Sequence, residues 1–148
     1  MIPSDSLHVR FAVDYSYPVI FTENAFAPDN AALQTLFDRA FTDGDYPLRV
    51  RAFLDEGVAN AQPDLPERLA TYAAARLPPL AQAPPRILPG GERVKNERQH
   101  VETVVRDLAE HRLCRHSVVL AVGGGAFLDA VGFSTALFHR GVRLLRMP

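Results

Sequence analysis

The apolar positions along this chain of 148 residues alternate between runs typical of strands and spacings typical of helices. Continuous or alternating apolar runs predict four strands, at residues 48–54, 86–88, 118–122 and 142–145. A spacing of three to four residues predicts helices that begin near residues 30, 64, 96 and 126. Strands that alternate with helices are typical of βαβ crossovers, so the pattern predicts an α/β domain built on a parallel sheet.

The first 30 residues predict a further pair of strands. Apolar and polar or small residues alternate over residues 7–13, and a second apolar run follows at residues 17–21 after a short turn. Asp29 or Asn30 is then expected to cap the first helix. Asp64 and Glu67 have capping-box spacing at the start of the second helix.

A glycine run gives the strongest indication of chemistry. Val118–Val122 reads as a strand buried on both faces, and Gly123, Gly124 and Gly125 join it directly to an apolar helix. Such a junction can bring backbone N–H groups and a helix N-terminus against a phosphate, and glycine permits φ > 0 and close approach of a ligand. Asp129, about one turn into the helix, could reach a ribose or a carboxamide. The pattern indicates a nucleotide site or, alternatively, only a tight βα turn, since the G-x-G-x-x-G fingerprint and its downstream acid are absent.

Four elements in order carry a family resemblance. Residues 123–133, G-G-G-A-F-L-D-A-V-G-F, closely resemble the glycine-rich segment of 3-dehydroquinate synthases and related sugar phosphate cyclases. The family's P-G-G-E-x-x-K element corresponds to residues 89–95, and its R-G-V-x-x-x-x-x-P element to residues 140–148. A strand that ends in acidic residues precedes both, at residues 50–57. The resemblance covers residues 47–148 well and the first 46 weakly.

The resemblance implies a Rossmann-like NAD-binding domain of the dehydroquinate synthase-like fold over residues 1–148. It implies that NAD is held by Asp55, Glu92, Lys95, Gly123, Gly124, Gly125 and Asp129. Asp55 would accept hydrogen bonds from the adenine-side ribose, and Arg140 would bind the substrate phosphate. Plainer interpretations stay open: Asp55 as a turn residue, Glu92 and Lys95 as a surface ion pair, and Arg140 as a helix-terminal cation.

The implied activity is that of a phosphate-eliminating lyase that forms a carbocycle from a seven-carbon sugar phosphate. It uses NAD and a divalent metal, zinc or cobalt. In this family the metal ligands and most substrate ligands lie in a further helical domain. We therefore expect this chain to be the NAD-binding half and to be inactive alone. The resemblance also implies a homodimer. An iron-type alcohol or glycerol dehydrogenase is a second candidate, although Ala126 and Gly132 depart from its usual pattern. A non-catalytic nucleotide-binding module is a third.

Composition excludes several other classes. The net charge of −1 gives no reason to propose nucleic acid or an anionic membrane surface as a partner. No apolar run approaches the ~18 residues of a membrane span, and no secretory signal is visible. The lone Cys114 fits a reducing cytosol, so we expect a cytoplasmic protein. The five histidines lack ligand spacing, so no metal is assigned to this chain.

Overall fold

A four-stranded parallel sheet forms the centre of the computed structural model, which describes residues 7–14, 16–41, 47–80 and 82–148. The strands are β1 (Val50–Asp55), β2 (Arg86–Leu88), β3 (Val118–Val122) and β4 (Arg143–Met147), in the spatial order β2-β1-β3-β4. The helices are α1 (Ala32–Ala40), α2 (Glu56–Ala61), α3 (Leu65–Arg76), α4 (Arg98–Glu110) and α5 (Gly125–Phe138). A 3₁₀ helix, η1 (Glu92–Asn96), precedes α4. The predicted parallel α/β fold is confirmed. None of the helices described here is long and apolar enough to cross a membrane.

The two central strands are buried along their whole length, because each face of the sheet carries its own apolar core. The first core joins alternate residues of β1 and β3 to α1 and α3, whose buried residues include Leu33, Phe37, Leu69 and Tyr72. The second core joins the intervening residues to α4 and α5, including Val104, Leu108, Phe127 and Val131. Burial on both faces accounts for the continuous apolar runs of β1 and β3, as parallel sheets require.

One of the two predicted helix caps is formed. Asn30 Oδ1 accepts a hydrogen bond from the backbone N–H of Ala32 at 2.9 Å, at the start of α1. The predicted Asp64 cap is wrong. Asp64 has helical backbone angles (φ −82°, ψ −11°), whereas a capping side chain needs an extended backbone to reach the first-turn N–H groups. The Asp64 carboxylate instead lies 3.0 Å from Arg68 Nε.

The predicted N-terminal strand pair is also wrong. Residues 7–14 and 16–22 contain no strand, and Tyr15, in the predicted turn, lies outside the described residues. The apolar side chains of these segments are exposed, with Leu7, Phe11 and Phe21 each more than 80% accessible. Alternation in sequence shows that a segment could cover an apolar surface, but a strand also needs a hydrogen-bonding neighbour. The sequence also predicts that Gly44 and Pro47 end the first helix, and Gly44 lies outside the described residues.

A buried charge network joins the sheet to α4 beneath the second core. Arg51 on β1 donates to both carboxylate oxygens of Asp107 on α4, with an Nη2–Oδ2 distance of 3.0 Å, and also to the Pro84 carbonyl. Arg86 on β2 donates to the same Oδ2 at 3.0 Å. Burial alone raises the pKa of the Asp107 carboxyl, but the hydrogen bond and charge of Arg51 outweigh it, with His111 and Arg86 acting in the same direction. The pKa of Asp107 therefore lies below its usual value.

We expect Asp107→Asn to lower the free energy of unfolding by about 3 kcal/mol at pH 7, because Arg51 is then left buried without a counter-charge. The folded pKa of Asp107 lies below the unfolded value of about 3.9. The carboxylate therefore stabilises the fold above that pH, and this contribution is lost as the pH falls through the folded pKa. Urea unfolding between pH 3 and pH 7 measures both effects.

Glu102→Gln is the matched control, because it removes the exposed ion pair between Arg98 and Glu102 on the same helix. We expect this control to cost under about 1 kcal/mol. An Asp107→Asn protein that loses stability on acidification as steeply as the wild type would contradict the assignment.

Candidate functional site

The carboxyl ends of β1, β2 and β3 meet around the side chain of Asp55, which is only 7% exposed. Asp55 Oδ1 accepts the backbone N–H of Gly57 at 2.8 Å and so caps α2. A Cβ placed on Gly90 would overlap the Asp55 carboxylate, and a Cβ on Gly123 would lie 2.6 Å from Asp55 Cβ. The carboxylate thus fills space that only glycine leaves open at the ends of β2 and β3, the two strands that flank β1.

The glycines of the predicted phosphate loop have two different environments. Gly123 is packed between Asp55 and Phe127, whose Cδ1 would lie 2.7 Å from a Cβ at that position. Gly124 and Gly125 face open space, with nothing within 4 Å of a built Cβ. Gly124 is the N-cap of α5, where the first N–H groups of a helix lack intrahelical partners and favour an anion. The open space therefore lies where a phosphate would bind.

The expectation that these glycines serve a left-handed backbone is wrong. Gly124 has φ −68° and ψ 164°, an extended conformation that other residues also adopt. Among the glycines that the structure describes, Gly91 (φ 82°) and Gly141 (φ 96°) have positive φ. The run at 123–125 is therefore explained by close packing at its first residue and open approach at the other two.

Four charged side chains from three elements meet beside the N-terminus of α5. Asp129 lies about one turn into α5, as predicted, and its Oδ1 accepts a hydrogen bond from Arg146 Nη2 on β4 at 2.8 Å. Its Oδ2 lies 3.8 Å from Lys95 Nζ on η1, and that ammonium lies 3.3 Å from Glu92 Oε2. The structure thus brings Glu92, Lys95 and Asp129 together. All four side chains are partly accessible, so a ligand can reach them.

A buried histidine packs against α5 close to its N-terminus. His100, near the N-terminus of α4, packs edge-on against Phe127 with ring centroids 6.1 Å apart. Burial lowers the pKa of His100, while the nearby Glu97 carboxylate partly opposes the shift. Its Nε2 has no hydrogen-bond partner within the described structure. The neutral ring therefore acts as part of the apolar support beneath Gly123.

The structure does not bring Arg140 to this site. Arg140 follows the C-terminus of α5 and lines a cavity with Cys114, Arg115 and His116, which precede β3. The 14 residues of α5 place about 20 Å between its two ends. Arg140 therefore lies near the amino ends of the strands, whereas Gly124 lies at their carboxyl ends.

Sequence reasoning assigned no role to two residues of the site, Gly90 and Arg146. Gly90 belongs to the P-G-G-E element. Glycine is needed there because the Asp55 carboxylate occupies the space of a Cβ, and Asp55 lies 35 positions earlier in the chain. Arg146 could have been noticed as a charged residue on the same face of β4 as Val142 and Leu144, which pack against the second core. No group of three or more His, Cys, Asp or Glu side chains that could hold a metal is found in the described parts of the chain.

Comparison with known proteins supports the resemblance. Residues 86–148 match the family described as 3-dehydroquinate synthase N-terminal. A 3-dehydroquinate synthase from Shewanella frigidimarina is 40% identical over 62 residues, which cover 42% of this chain and 17% of that protein. One from Shewanella pealeana is 39% identical over 74 residues, 50% of this chain and 20% of the relative. The matched stretches thus span a fifth or less of the curated relatives, and the resemblance drawn from the sequence motifs is confirmed.

A solved structure is similar over nearly the whole chain. It is the 2-epi-5-epi-valiolone synthase ValA from Streptomyces hygroscopicus subsp. jinggangensis 5008 with NAD+ and Zn2+ bound. The TM-score is 0.67 at 26% sequence identity, over 96% of this chain and 35% of that one. The dehydroquinate synthase-like fold predicted from the motifs is therefore confirmed.

We expect Gly123→Ala to lower the free energy of unfolding by about 2 kcal/mol, because the new methyl group would overpack Asp55 and Phe127. Gly125→Ala is the matched control two residues on. Its methyl group enters open space at the first position of α5, so we expect unchanged or slightly higher stability. Urea unfolding of the two variants gives the comparison, and equal stabilities would contradict the packing described here.

Proposed function

We propose that this chain is the NAD-binding domain of a sugar phosphate cyclase of the 3-dehydroquinate synthase type. The observation that carries the proposal is the open N-terminus of α5 at Gly124 and Gly125, directly beside the buried Asp55 and the charged cluster around Asp129. Backbone N–H groups, carboxylates for ribose hydroxyls and a lysine are thus gathered at the carboxyl edge of a parallel sheet. That edge is where open α/β sheets bind their ligands.

The site fits a dinucleotide in its main features. Its diphosphate would lie against the N–H groups at the start of α5, which has positive partial charge. Asp55 and Asp129 offer carboxylate oxygens to hydroxyl donors on either side of that position, and Lys95 supplies a cation between η1 and α5. Because the Asp55 carboxylate is closely packed against Gly90 and Gly123 and accepts the N–H of Gly57, the acceptor is pre-arranged before the ligand arrives.

When bound, NAD would supply a hydride acceptor: oxidation of a substrate hydroxyl to a ketone makes the neighbouring C–H acidic, so that its proton and then phosphate can leave before the hydride is returned to the ketone. The residues of this chain would hold the cofactor tightly through that cycle rather than release it after each oxidation. The zinc or cobalt ion of the family would be bound by residues of the family's helical domain. We assign it to none of the side chains described here.

Named relatives favour 3-dehydroquinate synthase over other cyclases as the parent activity. The curated relatives carry that name, whereas the similar solved structure is a valiolone synthase. The substrate would then be a seven-carbon sugar phosphate. A cytoplasmic location remains a prediction.

We further propose that the protein is a homodimer in which Arg140 serves a phosphate outside its own nucleotide site. Arg140 lies about 20 Å from Gly124, so its predicted role as a phosphate ligand fits a site completed by another chain. Nearby, Phe133 and Leu137 on α5 are 58% and 59% exposed, although most neighbouring helix positions are buried. Exposed apolar residues one turn apart are suited to subunit contact.

If α5 contributes to that contact, Leu137→Glu should shift the chain toward the monomer. A charge would then have to be desolvated on association, so we expect the apparent association constant to fall at least about tenfold. Sedimentation velocity at two protein concentrations measures the change. Ile87→Glu, at a similarly exposed apolar position on β2, is the control and should leave association unchanged. A wild-type chain that is monomeric at both concentrations would contradict the dimer.

Gly124→Val tests the nucleotide site directly. The extended backbone at Gly124 accepts valine, and no atom lies within 4 Å of the new Cβ, so we expect the variant to fold. Its side chain would occupy the space assigned to the diphosphate, and we expect NAD to bind about 100-fold more weakly or not at all. Calorimetric titration with NAD, alongside a circular dichroism melt, gives both readouts. Unchanged NAD affinity in a folded variant would overturn the proposed site.

A further inference from the structure

Arg146 occupies a position on β4 where the strand pattern calls for an apolar residue. Val142 and Leu144 pack against the second core, whereas Leu145 and Met147 pack against the first. By the same alternation, Arg146 emerges on the face that carries α4 and α5. Arg146 lies near the carboxyl end of β4 and pairs in register with Ala121 of β3. Ala121 itself lies two residues before the glycine run.

The Arg146 guanidinium and the Lys95 ammonium each contact a different oxygen of the Asp129 carboxylate. Arg146 Nη2 donates to Oδ1 at 2.8 Å, and Lys95 Nζ lies 3.8 Å from Oδ2. The two cations come from β4 and η1, which are far apart in sequence. A carboxylate held from two sides has less freedom to rotate than one exposed on a helix surface, and a fixed acceptor binds a ligand hydroxyl more tightly.

This arrangement also offsets an electrostatic conflict. A diphosphate at the N-terminus of α5 would lie close to the Asp129 carboxylate, and like charges repel. Arg146 and Lys95 compensate for that negative charge without covering the carboxylate, since the Asp129 side chain remains 54% exposed. An ion pair this exposed contributes little to folding, so its effect is to be sought in ligand binding.

We infer that Arg146 is a positioning residue of the nucleotide site, which acts on the dinucleotide through the Asp129 carboxylate. The inference rests on the proposed function, because Asp129 must itself be a ligand of the dinucleotide. It adds a residue of β4 to a site whose other members lie at the ends of β1, β2 and β3 and on η1 and α5.

A double-mutant cycle with NAD calorimetry tests the inference, using Arg146→Gln, Asp129→Asn and the combined variant of this 148-residue chain. We expect Arg146→Gln to weaken NAD binding about tenfold, and to have no further effect once Asp129 is asparagine. Arg146→Lys, which keeps the cation, should recover most of the affinity. Arg98→Gln removes an exposed ion pair on α4 and should leave NAD binding unchanged.

The possible outcomes are distinct. Wild-type affinity in Arg146→Gln, or an equal loss whether or not Asp129 is present, would overturn the positioning role and leave the proposed function intact. No NAD binding by the wild-type chain would overturn the proposed function and this inference with it. A melting temperature that falls in Arg146→Gln while Arg146→Lys fails to restore affinity would show a structural role instead.

Discussion

The close packing of the Asp55 carboxylate against Gly90 and Gly123 is the constraint on which the rest of the site depends. One side chain at the end of β1 fills the space above the ends of β2 and β3, and it also caps α2. The parallel register places these strand ends side by side, with Asp55 opposite Leu88 and Leu54 opposite Val122. The chain leaves β3 through this contact at Gly123, and α5 begins two residues later at Gly125.

A division of roles among adjacent glycines follows from this contact. Gly123 is closely packed in the protein interior, whereas Gly124 and Gly125 border open space. The three are indistinguishable in sequence, since each is only a residue without a Cβ. What separates them is the distance to a side chain on a strand about 70 residues earlier. A glycine run can therefore predict a site while giving no information on which of its members the fold itself requires.

The same limit determines how much of the fold the sequence could predict. β2 and β3 were predicted at their observed bounds, and β1 and β4 to within a few residues, because burial of strands in a parallel sheet leaves a local apolar pattern. The pairing of Arg51 with Asp107 left no local trace, since its two members lie on separate elements. The N-terminal alternation was read as a strand pair, although alternation does not specify a hydrogen-bonding partner. Among the residues of the candidate site, the family motifs indicated Asp55, Glu92, Lys95 and Asp129. Arg146 was not predicted, because its only signal is its place in the apolar alternation of β4.

Two arginine–aspartate pairs in this small domain illustrate how burial divides structural from binding roles. The carboxylate of Asp107 is fully covered, and both of its oxygens are used by Arg51 and Arg86, so no ligand can reach it. The carboxylate of Asp129 is paired just as closely with Arg146 but remains half exposed. Desolvated charges must be paired for the chain to fold at all, whereas an accessible pair costs little to form and leaves lone pairs for a ligand. In the proposed function, the same two residue types support the sheet at one place and prepare an acceptor for a nucleotide at the other.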